Sequence, residues 1–218
     1  MLWSCIALLP CIALLPYIAL LPRVALAQEG AAETNYDPPT ERRGGFAAGI
    51  GLGLGVGNYS GYPNEAEDIN NPDSYSTTGA AFSGSSSIWI GGALRDWFTF
   101  GVGLFQNGGG SGDLSGAGFA IGTHLEGYPL YALGGPYRDL GLAAEFGAGG
   151  GAIQDSDKQE TANGGSMSLV GVGAFYEIWQ FWRMSTGPRL MYTHEFSRSL
   201  RSHALVLGWR LVFYSAQP

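Results

Sequence analysis

A chain of 218 residues with a formal net charge of −7 suits a single domain and lacks the clustered Lys and Arg that nucleic-acid binding demands. Its 36 glycines stand far above the usual frequency of roughly 7%. They disfavour a helical bundle, since an interior Gly costs a helix about 1 kcal/mol.

Residues 1–27 are apolar from Leu2 to Leu21 and end in Ala25-Leu26-Ala27, the small-x-small pattern of a signal-peptidase site. A cleaved signal peptide ending at Ala27 is expected. The segment departs from the usual pattern in having Arg23 after its apolar run and no basic residue before it. A six-residue unit repeats within it as CIALLP, CIALLP, YIALLP and RVALAQ. The recurring Pro10, Pro16 and Pro22 would break a helix ladder, which argues against a retained membrane helix. Both cysteines, Cys5 and Cys11, lie here, so the rest of the chain can form neither a disulfide nor a thiolate metal site. Residues 28–43 (QEGAAETNYDPPTERR) read as a polar, extended periplasmic tail.

From Gly44 onward the chain alternates with period two, the signature of strands facing two environments. The first segment sets Phe46, Ala48, Ile50, Leu52, Leu54 and Val56 against Gly45, Ala47, Gly49, Gly51, Gly53, Gly55 and Gly57. The second aligns Phe82, Ile88, Ile90 and Leu94, with serines and Trp89 opposite. The third aligns Phe98, Phe100, Val102 and Leu104, and the fourth sets Ala117, Phe119, Ile121 and Leu125 against Gly116, Gly118, Gly122 and His124. A fifth carries Leu140, Leu142, Ala144, Phe146 and Ala148, and a sixth Val170, Val172, Ala174, Tyr176 and Ile178. A weaker seventh spans 186–197 with Leu190, Tyr192, His194 and Phe196 on one face. The eighth aligns Leu205, Leu207, Trp209, Leu211 and Phe213.

The connections alternate in length, as a membrane barrel requires. The longer set is 58–78, 107–113, 154–164 and 197–203, expected at the cell surface; the shorter set is 95–96, 127–138 and 182–185. Residues 59–78 and 127–138 are each long enough for an extra short strand. Alternation alone also fits a lipocalin-like barrel with its apolar face inward. Stripes of nine to eleven positions, the export signal and a collection of aromatics near the short-turn rim favour lipid outside. The expected girdle is Trp97, Tyr128, Tyr131, Tyr137, Trp179, Phe181, Trp182 and Tyr214.

The glycine face then lines a lumen too narrow for a full set of side chains. Glu145, Glu177, Arg189, Glu195 and Arg210 fall on that face. Buried charges of this kind must pair. A hairpin turning about Arg183 and Met184 sets Glu177 opposite Arg189, with Arg210 completing the cluster.

The closing segment LVLGWRLVFY resembles the C-terminal assembly signal of outer-membrane barrels in Gly208, Leu211 and Phe213, although a short tail follows it. Across residues 44–214 the pattern resembles the small barrels of the outer-membrane-protein A, X and W kinds. That resemblance implies an all-β, antiparallel up-and-down transmembrane barrel of eight strands over residues 44–218. It also implies an outer-membrane location among lipid and lipopolysaccharide, with assembly by the barrel machinery.

No catalytic, cofactor or metal motif stands out. His124, His194 and His203 are scattered over three segments without ligand spacing. Glu65, Glu67, Asp68 and Asp73 lack the ladder of a calcium loop, and Arg198, Arg201 and His203 are a weak basic group for lipopolysaccharide phosphate. Lipid A deacylases, small barrels too, use a Ser and a His two residues apart. His194 and Ser197 are three apart and fall on opposite faces of a strand. The expected role is therefore non-enzymatic: structural, barrier or surface-interacting, with a lumen plugged by side chains. A small passive channel is the alternative and a lipid A-modifying enzyme the remote one.

Overall fold

The computed structural model describes residues 42–157 and 159–216, so the expected signal peptide and most of the tail lie outside the described residues. Eight long strands form an antiparallel sheet: β1 (Gly45–Gly61), β2 (Ala81–Arg95), β3 (Phe98–Ser111), β4 (Leu114–Gly127), β5 (Leu140–Gln154), β6 (Met167–Tyr176), β7 (Met184–Phe196) and β8 (Leu200–Tyr214). Each pairs with its neighbours in sequence, and β8 returns to pair with β1 from Tyr214 against Ala47 to Leu200 against Gly61. The sheet is thus an up-and-down barrel without a free edge, which satisfies the backbone in lipid.

The stagger can be read from the register. A row of paired residues runs from Ala48 through Ile90, Val102, Thr123, Phe146, Val170, His194 and His203. It arrives at Asn58 of β1, ten residues from its start. That offset is the shear that tilts the strands of a closed barrel.

The two faces divide as the alternation predicts. Ile50, Leu52, Leu54, Ile88, Ile90, Val102, Ile121, Leu142, Val172, Leu190, Leu205 and Leu207 are all exposed on the outside. Inside lie buried polar and aromatic residues. Apolar outside and polar inside is the polarity of a transmembrane barrel and the reverse of a lipocalin-like one. The glycine face provides room: a Cβ at Gly51 would overlap the guanidinium of Arg189, one at Gly118 the carboxylate of Glu195, and one at Gly116 the ring of Tyr59.

The connections differ from expectation in several places: β1 runs on to Gly61 inside the expected 58–78 loop, and β7 begins at Met184 inside the expected 182–185 turn. Residues 107–111 and 200–203, expected in loops, belong to strands, because β3 and β4 pair as far as Ser111 with Leu114 and β8 begins at Leu200. The run Gly108-Gly109-Gly110 carries no side-chain alternation to reveal its pairing. Gly112, with φ of 61°, makes the tight turn there. Of the two stretches with room for a strand, 59–78 holds a two-residue strand, Ser76–Thr77, against the end of β1. Residues 128–139 instead hold two 3-10 turns, Tyr131–Leu133 and Gly135–Asp139. A further short strand, Glu160–Asn163, folds back onto β5.

Candidate functional site: the charged lumen

The site begins before the first strand. Arg43, the last residue of the expected tail, turns into the barrel at the short-turn rim and is fully buried. Its Nη2 donates to Glu177 Oε2 at 2.6 Å and to Asp139 Oδ1 at 3.0 Å, and its Nη1 donates to the Asp96 carbonyl at 3.1 Å. The guanidinium lies 3.6 Å from the ring centroid of Tyr128. Burial disfavours its charge, but the Glu177 carboxylate beside it more than offsets this and holds Arg43 protonated. Asp96, in the β2–β3 turn, accepts from the backbone N–H of Arg42 and of Arg43 and pairs with Arg138. Arg42 makes a two-pronged contact with Asp139, at 3.1 Å to each oxygen.

Glu177 is the hub. Its Oε1 accepts from Tyr128 Oη at 2.8 Å, Arg210 Nη1 at 3.0 Å and Tyr214 Oη at 3.3 Å. Arg210 continues the network inward, its Nη2 donating to both oxygens of Glu126 at 2.7 and 2.8 Å while its guanidinium lies 3.8 Å from the centre of the Phe175 ring. Glu126 Oε1 is 3.1 Å from His124 Nε2, and His124 Nδ1 is 3.3 Å from Glu145 Oε1. His124 also stacks on Trp89 with centroids 4.6 Å apart. The chain of groups from Arg43 to Glu145 is buried, so each charge depends on its neighbours for compensation.

The five lumenal charges expected from the sequence all point inward and are buried, but the expected pairing of Glu177 with Arg189 is not formed. The β6–β7 register sets Arg189 opposite Phe175, and the hairpin turns on Trp182 and Arg183, one residue earlier than expected. Pro188 has no N–H to give the ladder, and the pairing is interrupted beside it before resuming at Trp179–Phe181. Glu177 falls in that interruption and swings to Arg43 and Arg210. Arg189 instead donates to Ser87 Oγ at 2.8 Å and lies against Gly51. Glu195 accepts from Ser202 Oγ at 3.0 Å near the other end of the lumen.

Two girdle residues are corrected as well. Tyr128 and Tyr214 are buried among the lumenal charges rather than set in the outer surface. Trp97, Tyr137, Trp179, Phe181 and Trp182 are exposed at the short-turn rim, and Tyr131 is half-buried against the interior cluster of Tyr128 and Phe175. Gly208, Leu211 and Phe213 lie on β8 at its seam with β1, where Gly208 pairs with Gly53, Leu211 with Ile50 and Phe213 with Ala48. The reading of the sequence missed Arg43, Asp96, Glu126, Arg138 and Asp139 as members of the network.

Beyond the charges, Tyr59, Ile153, Ala162, Met167 and Leu200 form a buried apolar cluster toward the long-loop end. Two interior cavities along the lumen measure about 10 Å³ each, room for about one water apiece. At the candidate Ser and His, Ser197 Oγ accepts from the backbone N–H of Leu200 and so shapes the β7–β8 turn, while His194 Nδ1 is bonded to the Ser202 carbonyl.

The sequence matches no protein-family model and no curated protein. Among solved structures, the chain is similar to Ail, the attachment invasion locus protein of Yersinia pestis. The two share 10% identity and a TM-score of 0.48 over 77% of this chain and 98% of that one. It is also similar to Neisserial surface protein A, with 12% identity and a TM-score of 0.44 over 76% and 95% of the two chains. A third likeness is the outer membrane protein OprG from Pseudomonas aeruginosa, with 10% identity and a TM-score of 0.37 over 79% and 99%. The assignment of an eight-stranded transmembrane barrel stands on the register and burial described above.

Proposed function

We propose that this protein is an integral barrel of a bacterial outer membrane with a non-catalytic structural, barrier or surface-interaction role, its lumen closed by its own side chains. The observation that carries this reading is the unbroken run of buried contacts from Arg43 through Glu177, Arg210 and Glu126 to His124. A solute would have to part several charge-assisted hydrogen bonds at once, each stronger than a neutral one. The adjoining cavities of about 10 Å³ support the same reading.

Purified protein in a planar bilayer should be electrically silent at neutral pH. Discrete conductance steps would favour the passive channel instead. The location is tested separately: the folded protein should fractionate with outer membranes, migrate differently on gels before and after boiling, and begin at Gln28. Recovery with the inner membrane would overturn it.

A further inference from the structure

The register places outward residues of β7, β8 and β1 in two rows at the long-loop rim. His194, His203 and Asn58 are cross-strand neighbours, and Phe196, Arg201 and Ser60 form the next row toward the loops. The row beneath them is Tyr192, Leu205 and Val56, each exposed at the edge of the apolar belt. The two upper rows carry a guanidinium and neutral hydrogen-bonding groups, and no carboxylate. Tyr192 Oη lies 2.7 Å from Nδ1 of His203, and with that hydroxyl as the donor the ring keeps its proton on Nε2.

The height of these rows matches a headgroup layer. Two residues advance about 7 Å along a strand, which a barrel tilt of about 40° reduces to about 5 Å along the axis. His203 and Arg201 thus stand about 5 and about 10 Å beyond Leu205, bracketing the polar layer of a leaflet, which is about 5–8 Å thick. Charge is divided unevenly around the same rim. The other three connections hold four acidic residues in 62–80, one in 112–113 and three in 155–166, against one basic residue, Lys158. The β7–β8 turn, 197–199, holds Arg198 and no acid. Among the described residues neither Arg198 nor Arg201 enters an ion pair, whereas Arg43, Arg138 and Arg210 all do. A soluble polyanion arriving from above would meet the acidic loops, while a lipid headgroup reaches the two rows from the side.

We propose that Arg198, Arg201 and His203 bind the phosphate of a lipid headgroup in the outer leaflet, that of the lipid A part of lipopolysaccharide, with Asn58 and Ser60 as neutral partners. Guanidinium and phosphate form short, charge-assisted hydrogen bonds, and the apolar row beneath meets the acyl chains of the same lipid. The site rests on the reading of the chain as an outer-membrane barrel with its long loops outside. It is independent of whether the lumen is closed.

The test uses untagged protein folded in a neutral detergent, checked by its unboiled gel mobility and titrated with diphosphoryl lipid A, the bound lipid being counted by native mass spectrometry. Arg198→Gln and Arg201→Gln should each weaken binding by about fivefold, the equivalent of about 1 kcal/mol for a basic residue beside an anionic surface. The same loss of charge at Arg95 and Arg183, both exposed at the short-turn rim, should leave binding unchanged. Lipid A stripped of its phosphates should bind wild type and the Arg198, Arg201 double variant alike. Where a variant fails to fold, phenylglyoxal labelling of the wild type gives the same answer: diphosphoryl lipid A should shield Arg198 and Arg201 but not Arg95 or Arg183. Equal losses at the two rims, wild-type binding of the stripped lipid as tight as that of diphosphoryl lipid A, no shielding, or displacement of the lipid by inorganic phosphate or a soluble sulfated polysaccharide would each overturn the site. Recovery of the protein with the inner membrane would overturn the outer-membrane reading, and the lipid assignment with it.

Discussion

Arg43 Nη2 lies 2.6 Å from Glu177 Oε2, and neither side chain has any solvent exposure. The two residues are far apart in the chain, one before the first strand and the other in the break between β6 and its continuation. Their contact fastens the incoming chain to the inside of the barrel at the short-turn rim. Breaking such a pair from one side strands a buried charge, which typically costs about 3–5 kcal/mol. Arg43→Ala should therefore destabilise the barrel by about that amount in urea unfolding from lipid, and adding Glu177→Gln should recover part of the loss. The corresponding cycle between Arg189 and Glu177 should show much weaker coupling. Strong coupling there with additivity at Arg43 would restore the hairpin register expected from the sequence.

The empty inward positions should resist filling. A Cβ at Gly116 would overlap the Cγ and Cβ of Tyr59, whose hydroxyl is anchored to Asn107 Oδ1 at 2.9 Å. Val is among the residues enriched in strands. Gly116→Val should nonetheless cost about 1–3 kcal/mol through crowding. Gly84 faces outward with no neighbour nearer than 3.7 Å, so Gly84→Val should leave stability nearly unchanged or improve it. Equal effects at the two sites would mean that inward glycines do not serve to admit large side chains.

Alternation carried most of the architecture because each strand faces lipid on one side and a tight lumen on the other. The same parity also contained what the reading overlooked. Tyr214 shares the face of Arg210 and Val212, and both Glu126 and Tyr128 share that of His124. An aromatic at a strand end invites placement in the girdle, yet parity puts these tyrosines inside. Arg43 could be suspected in the same way, since it continues the inward series of Gly45 and Ala47. Asp96, Arg138 and Asp139 lie in turns and 3-10 segments, where a period of two carries no information. Their convergence needs the closed barrel. The partner of Glu177 was hidden for a different reason: a ladder interrupted beside Pro188 shifts the register.

Lipid contact predicts a dependence on depth. Leu52 is 57% exposed near the middle of the β1 stripe, and Val56 is 61% exposed at its end. Arg on the lipid face costs about 2–4 kcal/mol at the midplane and about 0–1 near the interface. Leu52→Arg should therefore destabilise the protein in vesicles substantially more than Val56→Arg. Two equal and small effects would mean that this face meets water.

Tyr214 offers the sharpest separation between the interior and the girdle. Its hydroxyl lies 3.3 Å from Glu177 Oε1 and 3.2 Å from Tyr128 Oη, and its side chain is fully buried. A hydrogen bond to a charged group is worth about 1.5–3 kcal/mol. This one is long, and the same carboxylate oxygen is also supplied by Tyr128 and Arg210, so Tyr214→Phe should lose about 1.5 kcal/mol, the low end of that range. The ring remains to fill its space, so packing should not add to the loss. Trp182, 79% exposed at the tip of the β6–β7 turn, gives the contrast. Trp182→Ala should change stability in detergent by no more than about 0.5 kcal/mol, as surface substitutions usually do. A neutral Tyr214→Phe together with a destabilising Trp182→Ala would move Tyr214 back to the outer girdle and take one donor away from Glu177.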